Sequence, residues 1–238
     1  MKNFRVIALA AIYVVSIVGM VHPTRAQDSS QTTQKVRFGP EIDAFLHEDT
    51  INPPPKGAIL FVGSSIFRQW TNLKHHMAPL PVFNRAFGGS RTWEVLYYME
   101  KIVLPYKPRI IVYYCGSNDV NAGATAPEIF LHFKQFSDRV AQELPATLVF
   151  YVSINRAPQK MDKWDVVDSA NALIRDFCSS TKKREYIDVN PVLFDGNGKP
   201  RMELYRDDKL HFKDPAYEEF TRVIKPVLQK AWGQNGGL

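Results

Sequence analysis

Cysteine is scarce, with two residues in 238, too few for a disulfide framework. Cys115 closes an apolar run and Cys178 falls on the apolar side of a helical pattern. Both read as buried thiols, with a bridge between them left open. Metal-ligand patterns are missing too: there is neither a His-Glu-x-x-His nor a paired-Cys motif, so no metal is expected. Basic runs are equally few. Lys182-Lys183-Arg184 ends a helical pattern, where cations suit the helix dipole, and no nucleic-acid footprint is present. No internal repeat or second domain is discernible.

Long hydrophobic stretches are also lacking. The run from Val6 to Val21 is interrupted by Ser16 and Gly19 and falls short of the ~20 residues a membrane-spanning helix needs. Lys2 and Arg5 precede it, and Thr24-Arg25-Ala26 follows as a small-residue cleavage site. Residues 1–26 therefore read as a signal peptide for export to the periplasm or beyond, with an uncleaved membrane anchor as the alternative. Cleavage removes Lys2, Arg5 and Arg25 and no acid, taking the formal charge from +6 to +3. Residues 27–38 open with a polar Gln/Ser/Thr-rich stretch and are expected to be disordered. Residues 39–238 are then one domain, and 45% hydrophobic with 23% charged residues is ordinary composition for a sizeable core.

What the chain does have is alternation. Apolar runs at Ala58–Val62, Val82–Asn84, Arg109–Cys115, Thr147–Ser153 and Tyr186–Val189 are continuous, as in parallel strands covered on both faces. A short helix is expected near Glu41–Glu48, before the Asn52-Pro-Pro-Pro-Lys-Gly57 connector. Thr125-Ala-Pro-Glu128 is a capping box, after which Ile129, Phe133, Phe136, Val140 and Leu144 keep helical spacing. Asp162 and Asp214-Pro215 open two further helices, and Pro226 is expected to disturb the end of the last. Strand and helix alternating five times predicts an α/β domain of three layers, α/β/α, with a five-stranded parallel sheet.

In such sheets reactive groups gather at the carboxyl ends of the strands. The first strand ends in Gly63-Ser64-Ser65, the second runs into Gly88-Gly89-Ser90, and the third ends in Gly116-Ser117-Asn118-Asp119. After the fifth comes Asp207-Asp208-Lys-Leu-His211. Each fragment alone is weak, but together they lie on one edge of one sheet. In this order they resemble the blocks of the SGNH, or GDSL-type, hydrolases, across nearly the whole domain. The resemblance implies a flavodoxin-like SGNH hydrolase fold with Ser65 as nucleophile, Asp208 and His211 completing a catalytic triad, and Gly89 and Asn118 in the oxyanion hole. Ser64 departs from the family, which usually has aspartate after the block-one glycine.

The residues support this chemistry directly. A serine hydroxyl needs a base to take its proton, and histidine needs a carboxylate to fix its tautomer. Asp208 and His211, three apart in a turn, project to one side; Asp207 is spaced for a helix instead. His22 leaves with the leader, His132 sits on a helix, and His47, His75 and His76 lack a matching acid. The N–H groups of Ser65 and Gly89 and the Asn118 amide are candidate oxyanion donors. The expected function is a cofactor-independent serine esterase or acylhydrolase. It would act through an acyl-enzyme on esters of lipids, carbohydrates or small molecules. A non-catalytic carbohydrate- or ligand-binding module is the alternative. A Gly-x-Ser-x-Gly elbow is excluded by Phe67, and a flavodoxin-like cofactor binder leaves Asp208 and His211 without a task. Arg68, Trp93, Asn121 and the loop Ile154–Lys160 are unranked candidates for the pocket wall. Substrate acyl length and oligomeric state are not legible.

Overall fold

The computed structural model describes residues 36–234. The proposed leader and residues 27–35 of the polar segment lie outside the described residues. Five parallel strands form one sheet in the order β2-β1-β3-β4-β5. They are β1 (Ile59–Gly63), β2 (Val82–Asn84), β3 (Ile110–Tyr114), β4 (Leu148–Val152) and β5 (Arg184–Ile187). The helices are α1 (Gly39–Ile51), α2 (Ser65–Arg68), α3 (Leu73–Met77), α4 (Thr92–Tyr97), α5 (Met99–Ile102), α6 (Ser117–Asn121), α7 (Ala126–Glu143), α8 (Trp164–Ser180) and α9 (Asp214–Gln234). The α/β sandwich with a five-stranded parallel sheet is thus the fold that the alternating pattern predicts.

The continuous apolar runs follow from burial on both faces. Leu60, Val62, Ile111, Tyr113, Val149 and Tyr151 pack beneath α1, α4, α5, α7 and α8. Their strand neighbours Ile59, Phe61, Ile110, Val112, Phe150 and Val152 pack against α2, α3 and α9. Phe133 of α7 sits between Tyr113 and Tyr151, with ring centroids 5.2 and 4.6 Å away, and its loss to alanine is of the order of 3–5 kcal/mol. The Thr125–Glu128 capping box starts α7, the Thr125 N–H donating to Glu128 Oε2 at 2.7 Å.

Several boundaries differ from expectation. β5 begins two residues earlier, because buried Arg184 extends the strand with its guanidinium satisfied by the Ser137 carbonyl at 2.7 Å. Asp188 then leaves the ladder to accept from Ser153 Oγ. Residues 158–163 form a 3-10 segment, so α8 opens at Trp164 rather than Asp162. Pro226 does not disturb the end of α9, which runs on to Gln234. Pro226 is on the solvent side, where a carbonyl left free by the missing N–H is open to solvent rather than buried.

Topology positions the functional loops. From β1 the chain moves to β2 on one side and then to β3 on the other, so the crevice between the ends of β1 and β3 is the topological switch point. Gly63 closes β1 there with φ +136°, and a β-carbon on it would sit 1.8 Å from the Tyr114 carbonyl oxygen. The next N–H, of Ser64, donates to that same oxygen at 3.0 Å. Gly63→Ala is expected to destabilise the protein by more than the ~0.5–3 kcal/mol typical of single substitutions. The midpoint of a denaturant titration will show it; an unchanged midpoint contradicts the close approach.

Candidate active site

Ser65 follows the β1 turn as the first residue of α2. Its Oγ lies 3.0 Å from His211 Nε2. On the far side of the ring, His211 Nδ1 is 2.6 Å from Asp208 Oδ2. These groups, separated by 146 positions in the chain, meet because the turn before α9 returns to the tip of β1. That turn is built locally. Tyr205 and Phe212, both buried, pair as an antiparallel bridge, and Arg206 N–H donates to the His211 carbonyl at 2.8 Å. Asp208 Oδ1 accepts the N–H groups of Leu210 and His211 at 3.0 and 2.9 Å, the side-chain turn that Asp favours.

The same contacts set the protonation. Partial burial pushes the Asp208 carboxyl up, but hydrogen bonds from the His211 ring and from the His211 and Leu210 N–H groups outweigh it and hold the pKa at about 2. An ionised carboxylate only accepts, so Nδ1 carries the ring proton and Nε2 is free to accept from Ser65. Ser64, the neighbour that departs from the family's usual aspartate, is buried, and its hydroxyl has no hydrogen-bond partner among the described residues.

The candidate oxyanion donors come from three tips. Gly89 adopts φ +79°, a conformation that side chains disfavour. Neither its N–H nor that of Ser65 meets an acceptor among the described residues. Asn118 Nδ2 donates to the Ser90 carbonyl at 2.9 Å, which orients the amide and leaves its second N–H.

Sequence reading passed over the residues that tie these tips together. Ser90 Oγ donates to the Gly63 carbonyl at 3.0 Å, so one residue links the turn before Ser65 to Asn118. Buried Asp119 accepts from Thr92 N–H at 3.0 Å and from Thr92 Oγ1 at 2.5 Å, joining α6 to α4. The signal for both was their place inside the Gly-Gly-Ser and Gly-Ser-Asn-Asp blocks. Val36–Phe38, within the segment expected to be disordered, make defined contacts: Arg37 Nη2 reaches the Gly89 carbonyl at 3.3 Å and Arg37 pairs with buried Glu94. Trp93 lies on α4 and Asn121 on α6, whereas exposed Arg68 lines a cavity of about 350 Å³ with Phe45, Trp70 and Phe83.

The sequence pattern of the GDSL-like Lipase/Acylhydrolase family matches residues 62–219, from the end of β1 into α9. The chain belongs to this family. No curated protein matches the sequence. Among solved structures, a provisionally named platelet activating factor from Streptococcus pneumonia superposes with TM-score 0.70 at 20% identity, covering 79% of this chain and 92% of that one. A GDSL-like lipase from Bacteroides thetaiotaomicron gives 0.69 at 18% identity, covering 80% and 98%. A carbohydrate esterase family 3 protein from Talaromyces cellulolyticus gives 0.57 at 16%, covering 73% and 96%. This GDSL-like chain is thus a hydrolase by family, and its likeness to these structures is one of fold.

The Asp208 contacts have a measurable consequence. A carboxyl held below its ordinary value of 3.8 adds stability above that pH and loses it as pH falls toward 2. The parent is therefore expected to melt above Asp208→Asn at pH 5, with the gap narrowing below about pH 4. Asp208 is half exposed, so solvent keeps the gap small. A gap that widens in acid contradicts the assignment.

Proposed function

We propose that this GDSL-like hydrolase is a serine esterase, and the observation that carries the reading is the Ser65–His211–Asp208 relay at 3.0 and 2.6 Å. Ser65 Oγ attacks the ester carbonyl carbon as its proton passes to His211 Nε2, and Asp208 stabilises the imidazolium. The N–H groups of Ser65 and Gly89 and the Asn118 amide receive the negative oxygen. The ester C–O bond breaks, and the alcohol leaves with the proton from Nε2. Water then attacks the acyl-serine, gives a proton to His211 and releases the acid. The proton returns to Ser65 Oγ. No cofactor enters these steps.

For the substrate we propose acyl or acetyl esters of carbohydrates, lipids or small molecules. The fold likeness to a carbohydrate esterase supports including acetylated sugars, and a panel of esters of increasing acyl length beside acetylated sugars ranks them. We also propose export, with the mature chain beginning at Gln27. Mass spectrometry of the secreted protein is expected to give that terminus; an intact Met1 in the membrane fraction favours an anchor instead.

Ser65→Ala is expected to abolish ester hydrolysis and Ser64→Ala only to weaken it. Asn118→Ala is expected to lower kcat by about a hundred- to a thousandfold, the range for one oxyanion donor, with KM nearly unchanged. Steady-state kinetics beside melting curves check both. A folded Ser65→Ala with parental turnover overturns the esterase reading, and a folded Asn118→Ala with parental turnover removes Asn118 from the site.

A further inference from the structure

Lys160 is buried, with 1% of its surface exposed, and among the described residues it is the one lysine so placed. No carboxylate there lies within ion-pair distance of it. Its Nζ donates instead to Ser117 Oγ at 2.6 Å and to the Ser117 carbonyl at 3.0 Å. Burial, with Lys163 adding to it, pushes the ammonium down to about 8.

Burying a cation without a counter-charge costs desolvation, which these two hydrogen bonds offset in part. What the contact secures is position. Ser117 precedes Asn118, so Lys160 fixes the start of the turn that presents the amide. Lys163 reaches the same helix, with Nζ 3.5 Å from the Val120 carbonyl. The residue before Lys160 holds the other half of the site: Gln159 N–H donates to the Lys209 carbonyl at 3.1 Å, inside the turn between Asp208 and His211. Two adjacent residues therefore grip the oxyanion turn and the acid–base turn, which lie 91 positions apart by Asn118 and Lys209 in the sequence.

We propose that Lys160 is a positioning residue for ester hydrolysis, holding Ser117, and through it Asn118, in register with the His211 turn across the segment Pro158–Lys163. The proposal rests on the reading of Ser65, His211 and Asn118 as the reacting site. Lys160 touches no substrate; it acts through Asn118.

The test uses the full mature chain with p-nitrophenyl acetate as the probe. Lys160→Met is expected to fold and to lose about ten- to a hundredfold in kcat, the scale of a small misplacement, with KM within about twofold. Adding Asn118→Ala to Lys160→Met is expected to cost little beyond Asn118→Ala alone, because both act through one group. Lys160→Arg, which keeps a cationic donor, is expected to recover part of the loss. Ser117→Ala, which keeps the lysine and removes its 2.6 Å acceptor, is the second variant should Lys160→Met not fold, and is expected to lower kcat at unchanged KM.

Parental kcat in folded Lys160→Met, or in Ser117→Ala should that be the variant that folds, overturns the proposal. So do losses that multiply in the double variant. Amide hydrogen exchange gives a readout independent of activity: Lys160→Met is expected to exchange faster at residues 117–121 and 209–211, and unchanged exchange in both segments overturns the proposal. Ser65→Ala as a control separates the two claims. Parental activity in that variant removes the esterase reading, and the exchange measurement still decides whether Lys160 holds the two turns.

Discussion

The Tyr114 carbonyl oxygen occupies the place where a side chain on residue 63 would have to be. Two parallel strands end against each other at that point, and only glycine permits the approach. Everything that follows in the site depends on it. Because β1 stops there, Ser64 turns down into the interior and Ser65 starts α2 at the open crevice. The Gly63 carbonyl, freed from the ladder, accepts Phe87 N–H at 2.9 Å and Ser90 Oγ at 3.0 Å, so the second tip is fastened to the first. Ser90 in turn accepts from Asn118, fastening the third. The proposed oxyanion side of the site is a chain of backbone carbonyls, each gripped by the next loop.

The proposed acid–base side is built differently. Asp208 and His211 belong to one tight turn whose order is local, held by Asp208 accepting two backbone N–H groups and by the buried Tyr205 and Phe212. It remains partly in water, His211 with 23% and Asp208 with 48% of their side chains exposed. The two sides require a physical link. The Pro158–Lys163 segment lies between them, with Lys160 and Lys163 bonded to α6 and Gln159 to the Lys209 carbonyl, and among the described residues its ammonium is more deeply buried than the other buried cations, Arg85 and Arg184.

Much of this was legible in the sequence because parallel strands buried on both faces leave continuous apolar runs, and because the polar blocks sit where those runs stop. Ser65, Gly89 and Asn118 follow β1, β2 and β3 for that reason, whereas Asp208 and His211 come from the turn just before α9. What sequence did not disclose was the bracing. Ser90, Asp119 and Lys160 act through contacts spanning 27 to 43 positions, and a lysine in a polar-looking loop carries no mark of burial. The start of β5 was missed because an arginine reads as a strand end until its guanidinium is seen bonded to Ser137. Pro226 was misread because its effect depends on which side of α9 faces water, a property of packing.

The central claim is that Ser65, and not Ser64 beside it, is the hydroxyl activated by His211. Covalent labelling tests this without reference to a natural substrate. The purified protein is treated with a p-nitrophenyl alkylphosphonate, digested, and the modified residue located by mass spectrometry. One phosphonyl group on Ser65, absent from His211→Ala, is the predicted result. A label on Ser64, or equal labelling in His211→Ala, would contradict the account.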